Sequence, residues 1–245
     1  MKIFEVIGSE RQDNVNMVDL IKEHCQPYLK NNLSALKEGT DLYRGVSKVN
    51  PIVDTFMTVD VWTNKNRKPT HTPLPLHFLA DMWMEETFGY AYRSSSCFAS
   101  TDYLMASRYG SVYGIFPIGE YEMLYSPKVG DLYEWYLRAC EYVDDTAFGD
   151  DEQFVKDTRK YGLQFESNED TIYALKQFKY GEVNDSTGQD KFAEFNNYLF
   201  HIVFPRLGYR TTKYITDSNG NECMLRCKQY YAVAKVKLPE LIKQL

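Results

Sequence analysis

β-type patterning in this chain falls into two blocks, one between Asp41 and Tyr125 and one between Thr211 and Val236, and the interval between them has a different character. In the first block, Asp41 to Val46 and Asp54 to Trp62 are short β-branched or aromatic runs separated by Asn50-Pro51. Ser95 to Ala99 reads as a further strand, and Val112 to Tyr125 as one or two more. In the second block, Thr211 to Thr216, Glu222 to Arg226 and Tyr230 to Val236 are strand-like. Asp217-Ser218-Asn219-Gly220 contains the Asn-Gly pair that most strongly marks a hairpin. From Pro127 to about Asn197 the chain becomes acidic, aromatic and helical in pattern, over Leu132 to Tyr142, Asp151 to Tyr161 and Glu169 to Phe178. We read a single α+β domain whose mostly β core, 41–126 and 200–240, is interrupted by a helical insertion at 127–199.

Helices flank the strands. Val15 to Lys30 carries apolar residues at near-helical spacing, with Asn14 as N-cap, and lies within an N-terminal helical region at 1–40. Leu76 to Phe88 has a helical apolar stripe and Gly89 as its stop. Asp102 to Tyr109 reads as a short helix opened by Ser100 or Thr101. The polar, proline-marked loop at 64–73 is placed to border a cleft.

Charge and cysteine usage narrow the function classes. With a net charge of −6 over 245 residues, the chain lacks the clustered Lys and Arg that long nucleic acids demand, so such a partner is disfavoured. The five cysteines are odd in number and scattered, which fits a reducing compartment, and the four histidines are too dispersed to suggest a metal site. No apolar run is long enough for a membrane span, and Met1-Lys2-Ile3-Phe4-Glu5 lacks a signal-peptide pattern. A cytoplasmic protein with no membrane partner is expected.

Three distant stretches carry chemistry: Leu42-Tyr43-Arg44-Gly45, Phe98-Ala99-Ser100-Thr101-Asp102 and Asn221-Glu222-Cys223-Met224-Leu225. Arg44 offers a guanidinium fork inside an apolar strand, and Gly45 permits a close approach to the backbone. Ser100-Thr101-Asp102 also reads as a plain helix cap, Arg44 as a surface strand residue and Glu222 as a solvent-facing charge.

In this order the three stretches resemble the Arg, Ser-Thr-Ser and Glu signature of the ADP-ribosyltransferase fold. The resemblance implies a split β core of two packed, mostly antiparallel sheets, and NAD as substrate. It also implies roles: Arg44 and Gly45 hold the phosphate and amide ends of NAD, Ser100 hydrogen-bonds the catalytic Glu222, Ser100 and Thr101 belong with them to the NAD-binding set, and Tyr109 is a candidate to stack on nicotinamide. Asp102 departs from the pattern, where a third hydroxyl is expected.

Glu120-Tyr121-Glu122 is a literal Glu-x-Glu and stands as the alternative source of the acid. Only nineteen residues separate Ser100 from Glu120, which leaves little room for a helix and a separate strand before the glutamate strand. Glu222, followed by Met224-Leu225, a turn and Tyr230-Tyr231-Ala232-Val233, fits the family's ending better. The function so implied is NAD-dependent ADP-ribosyl transfer, or NAD hydrolysis, by a bacterium- or phage-encoded member of the family, with a host protein as the expected acceptor. The competing reading is a non-catalytic module of viral or mobile-element origin, whose acidic, tyrosine-rich surface occupies a basic host site.

Overall fold

The computed structural model describes residues 16–47, 49–52, 54–61, 72, 74–135, 197 and 199–245. The predicted helices at 151–161 and 169–178, most of the 64–73 loop and most of the 127–199 insertion lie outside these residues. Among the described residues there are eight strands: β1 Tyr43–Val46, β2 Phe56–Asp60, β3 Cys97–Ser100, β4 Ser111–Ile118, β5 Glu122–Tyr125, β6 Arg210–Thr212, β7 Glu222–Arg226 and β8 Gln229–Ala234. The α-helices that lie wholly within the described residues are α1 Met17–His24, α2 Gln26–Lys37, α3 Leu74–Phe88, α4 Tyr92–Ser95, α5 Tyr103–Ser107, α6 Phe204–Arg206 and α7 Leu238–Gln244. The chain divides into two compact units, one of Met1–Asn66, Ser94–Pro127 and Arg210–Leu245, the other of Arg67–Arg93 and Lys128–Tyr209.

The first unit holds the sheet. Its order is β2-β8-β4-β1-β3-β7-β5-β6, and every pairing is antiparallel. Pairing is uneven along this order. β1 matches β4 at four positions, from Tyr43↔Gly114 to Val46↔Ser111, but meets β3 only at Tyr43↔Ser100. That seam separates four strands from four, and the chain crosses it twice by short links. Gly119-Glu120-Tyr121 joins β4 to β5, and Cys227-Lys228 joins β7 to β8, although neither linked pair lies side by side.

Two expectations fail for identifiable reasons. The single helix predicted over Val15 to Lys30 is two helices broken at Cys25, because Pro27 in the first turn of α2 has no N–H for a continuing ladder. Asn16, whose side chain accepts from Val18 N, caps α1. The Asn219-Gly220 turn does not form a hairpin: β5 lies between β6 and β7 and pairs with both. Ile215–Ser218 is a 3₁₀ turn, so the strand predicted to reach Thr216 stops at Thr212.

The core of this unit lies where α1, α2 and α7 cover the sheet, with Ile21, Tyr28, Leu42, Tyr113, Phe116 and Tyr125 fully buried. Tyr28 meets Phe116 and Tyr121 edge-on, at centroid distances of 5.9 and 5.4 Å. Burying one such ring contributes roughly 1.5–3 kcal/mol. In the second unit, Trp83 of α3 packs against Phe88, Phe204 and Tyr209, with centroids 5.6, 5.7 and 6.2 Å away.

Candidate functional site

The register brings the three motif-bearing strands together at the centre of the sheet. β1, β3 and β7 are consecutive, with Tyr43 opposite Ser100 and Ser100 opposite Glu222. Directly opposed residues of an antiparallel pair project to the same face, so Tyr43, Ser100 and Glu222 share one. Glu222, half-buried, opens β7.

Hydroxyls at the end of β3 hold the turn that leads to Glu222. Ser100 Oγ donates to Gly220 O at 2.7 Å and accepts from Asp102 N at 2.9 Å. These bonds go to backbone, whereas the resemblance assigns this hydroxyl to the glutamate carboxylate. Thr101 Oγ1 accepts from Gly220 N at 2.9 Å and lies 3.2 Å from Ser218 Oγ. Asn221 Nδ2 donates to Ser126 O at 2.7 Å. Asp102, the residue that departs from the family pattern, caps α5 by accepting from Leu104 N at 2.7 Å; Ser100 and Thr101, the predicted caps, are engaged elsewhere.

Arg44 alternates with Tyr43 and projects to the opposite face from Ser100 and Glu222. Its Nη1 lies 2.9 Å from Cys97 Sγ and donates to Phe98 O at 3.2 Å, so the guanidinium reaches from β1 to β3. Cys97 and Cys227 are buried near it, and Cys223 is buried one strand over on β7. Burial pushes the Cys223 and Cys227 thiols far up, and the Arg44 charge pulls Cys227 partly back.

At Gly45 the close approach is made by the protein itself. A Cβ there would lie 2.1 Å from Ala106 O and 2.9 Å from Tyr109 Cβ, so the glycine seats α5 and the turn after it on β1. Tyr109 is 49% exposed.

The alternative acids sit elsewhere. Glu122 pairs in register with Arg226, at the far end of β7 from Glu222, and its carboxylate is 4.0 Å from the Arg226 guanidinium. Four strand positions correspond to about 13 Å. Glu120 is exposed and lies 3.4 Å from Lys213 Nζ.

Sequence reading overlooked Asn32. On α2 it is buried, donates to Tyr121 Oη at 2.9 Å and Lys213 O at 3.0 Å, and accepts from Ile215 N at 2.9 Å. A polar residue one turn after Tyr28 on an otherwise apolar helix face was the available signal. Among the described residues no three His, Cys, Asp or Glu side chains form a metal-binding group, and no helix is long and apolar enough to cross a membrane.

The arrangement supplies one carboxylate at a strand's start, a braced turn before it and a half-buried guanidinium on the other face. Such a carboxylate is suited to stabilising a developing cation. No family model, no curated protein and no solved structure matches this chain.

Proposed function

We propose that this chain cleaves the nicotinamide-ribose bond of NAD and passes ADP-ribose to a protein acceptor or to water. The observation that carries the reading is the adjacency of β1, β3 and β7, with Tyr43, Ser100 and Glu222 in one line across the sheet. Three motifs far apart in sequence gain nothing from this adjacency if each is only a cap, a surface cation and a stray charge. The seam at Tyr43↔Ser100 further supports a split core.

In this mechanism, Glu222 faces the ribose as the bond to nicotinamide breaks and its negative charge offsets the oxocarbenium-like centre that forms. Nicotinamide leaves with the bonding electrons, and the acceptor's nucleophile, or water, completes the transfer with loss of a proton. Ser100 and Thr101 fix the turn from which Glu222 projects. Specificity for the acceptor is assigned to the 64–73 loop and the 127–199 insertion, which flank the core in sequence.

A second reading is favoured by one specific observation. Arg44 is engaged with β3 on the face opposite Glu222, and Ser100 is bonded to backbone, which suits a non-catalytic partner-binding module on the same framework. Incubation with NAD and a cell extract separates the two. Transfer or hydrolysis releases nicotinamide, and Glu222→Gln lowers that release at least a hundredfold while Glu122→Gln leaves it intact. No release from the unaltered protein favours the binding module, and full activity in Glu222→Gln removes the assignment of the acid.

A further inference from the structure

We propose that Thr101 is a positioning residue for Glu222, acting through the Gly220 peptide as one link in a directed hydrogen-bond relay. The role in positioning rests on the reading of Glu222 as the reactive carboxylate; the relay itself is carried by geometry alone.

The relay follows from counting protons. Ser218 Oγ donates its single proton to Ile215 O at 3.0 Å. Across the 3.2 Å contact with Thr101 Oγ1, Ser218 is therefore the acceptor and Thr101 the donor. Thr101 Oγ1 in turn accepts from Gly220 N at 2.9 Å. The direction is Gly220 N–H to Thr101 to Ser218 to Ile215 O, and Ile215 N is itself anchored on the buried Asn32 Oδ1. From the other side Ser100 Oγ holds Gly220 O, so both polar groups of one residue are gripped by consecutive side chains of β3 and the step after it.

The gripped residue is the one that most needs holding. Asn219 and Gly220 both have positive φ, +46° and +86°, and Asn219 is the only non-glycine residue with positive φ among those described. Asn tolerates the left-handed region and glycine enters and leaves it freely, so Gly220 is the loosest joint before Glu222 and the one that side-chain hydrogen bonds must fix. Glu222 follows two residues later, so rotation at Gly220 re-aims its carboxylate directly. Thr101→Val keeps the shape and breaks the relay, whereas Thr101→Ser keeps the hydroxyl.

The test pairs amide exchange with kinetics on the full chain. In Thr101→Val the Gly220 amide exchanges at least tenfold faster than in the unaltered protein, and Thr101→Ser restores protection. With NAD as the probe, Thr101→Val lowers kcat by roughly tenfold to a hundredfold with KM little changed, and Thr101→Ser recovers it. Unchanged Gly220 exchange in Thr101→Val overturns the relay whatever the kinetics. Faster exchange with unchanged kcat overturns the positioning role, and so does an unaltered protein that does not consume NAD. If Thr101→Val does not fold, Thr101→Ala, which removes the same acceptor of the Gly220 amide without a branched stem, is held to the same exchange and kinetic outcomes.

Discussion

Arg44 Nη1 lies 2.9 Å from Cys97 Sγ and donates to Phe98 O at 3.2 Å, which ties β1 to β3 where their ladder has only the Tyr43↔Ser100 pair. A side chain here substitutes for missing backbone pairing. The guanidinium thus has a structural duty whatever else it binds.

Arg44→Met should therefore lower unfolding free energy by about 1.5–3 kcal/mol, the range for hydrogen bonds to a charged group. Arg44→Lys should recover only part of it, because a single ammonium cannot reproduce the planar fork. Urea denaturation of the three proteins measures this. Equal stability across them, together with a raised KM for NAD in Arg44→Met, would instead assign Arg44 to the ligand alone.

Gly45→Ala is expected to be more damaging than its size suggests. The added methyl meets the Ala106 carbonyl at 2.1 Å and Tyr109 Cβ at 2.9 Å, both fixed to α5 and the turn that ends it. Relief requires moving that segment off β1, at a cost of about 1–3 kcal/mol or more. A melting temperature within a degree or so of the unaltered protein's would mean that α5 is free to shift.

How far the sequence discloses this architecture depends on the range of the contact. β1, β3, β7 and α3 were legible because their signals are local: β-branched and aromatic runs, a helical stripe, a glycine stop at Gly89. Pro27 was equally visible, yet apolar spacing on both sides ran through it. The Asn219-Gly220 turn misled because its left-handed geometry is real while the strand beside β7 comes from Glu122–Tyr125, far away in sequence. Arg44, Ser100 and Glu222 were named from motifs, but strand alternation, which sends Arg44 to the other face, acts on a register that no single stretch encodes. Asn32 lay hidden because its partners at 121, 213 and 215 are distant in the chain.

Two tyrosines that touch each other should respond oppositely to loss of their hydroxyls. The Tyr28 hydroxyl is buried with no hydrogen-bond partner among the described residues, so Tyr28→Phe should be neutral or slightly stabilising. Tyr121 Oη accepts from Asn31 and Asn32 and donates to Lys213 O at 2.5 Å, so Tyr121→Phe leaves buried groups unpaired and should cost about 1–3 kcal/mol. Denaturant midpoints for the two variants decide the matter, and a larger loss in Tyr28→Phe would require an unseen partner for that hydroxyl.

Asp41 should give stability a pH dependence of unusual sign. Burial raises its pKa above the ordinary 3.8, and the Tyr43 hydroxyl, which donates to Oδ2 at 2.9 Å, and the charge of Lys235 only partly counter this. Between 3.8 and the raised value the folded chain binds more protons at this site than the unfolded chain, so the Asp41 contribution falls as pH rises through that window. A group with a depressed pKa would do the reverse. Asp41→Asn keeps an acceptor for Tyr43 and cannot titrate, so the variant should gain stability relative to the unaltered protein as pH is raised from about 3.8 towards neutrality. Urea midpoints for both proteins across that range measure the difference; a constant gap, or one that shrinks as pH rises, would place the Asp41 carboxyl in a better-solvated setting than the burial found here.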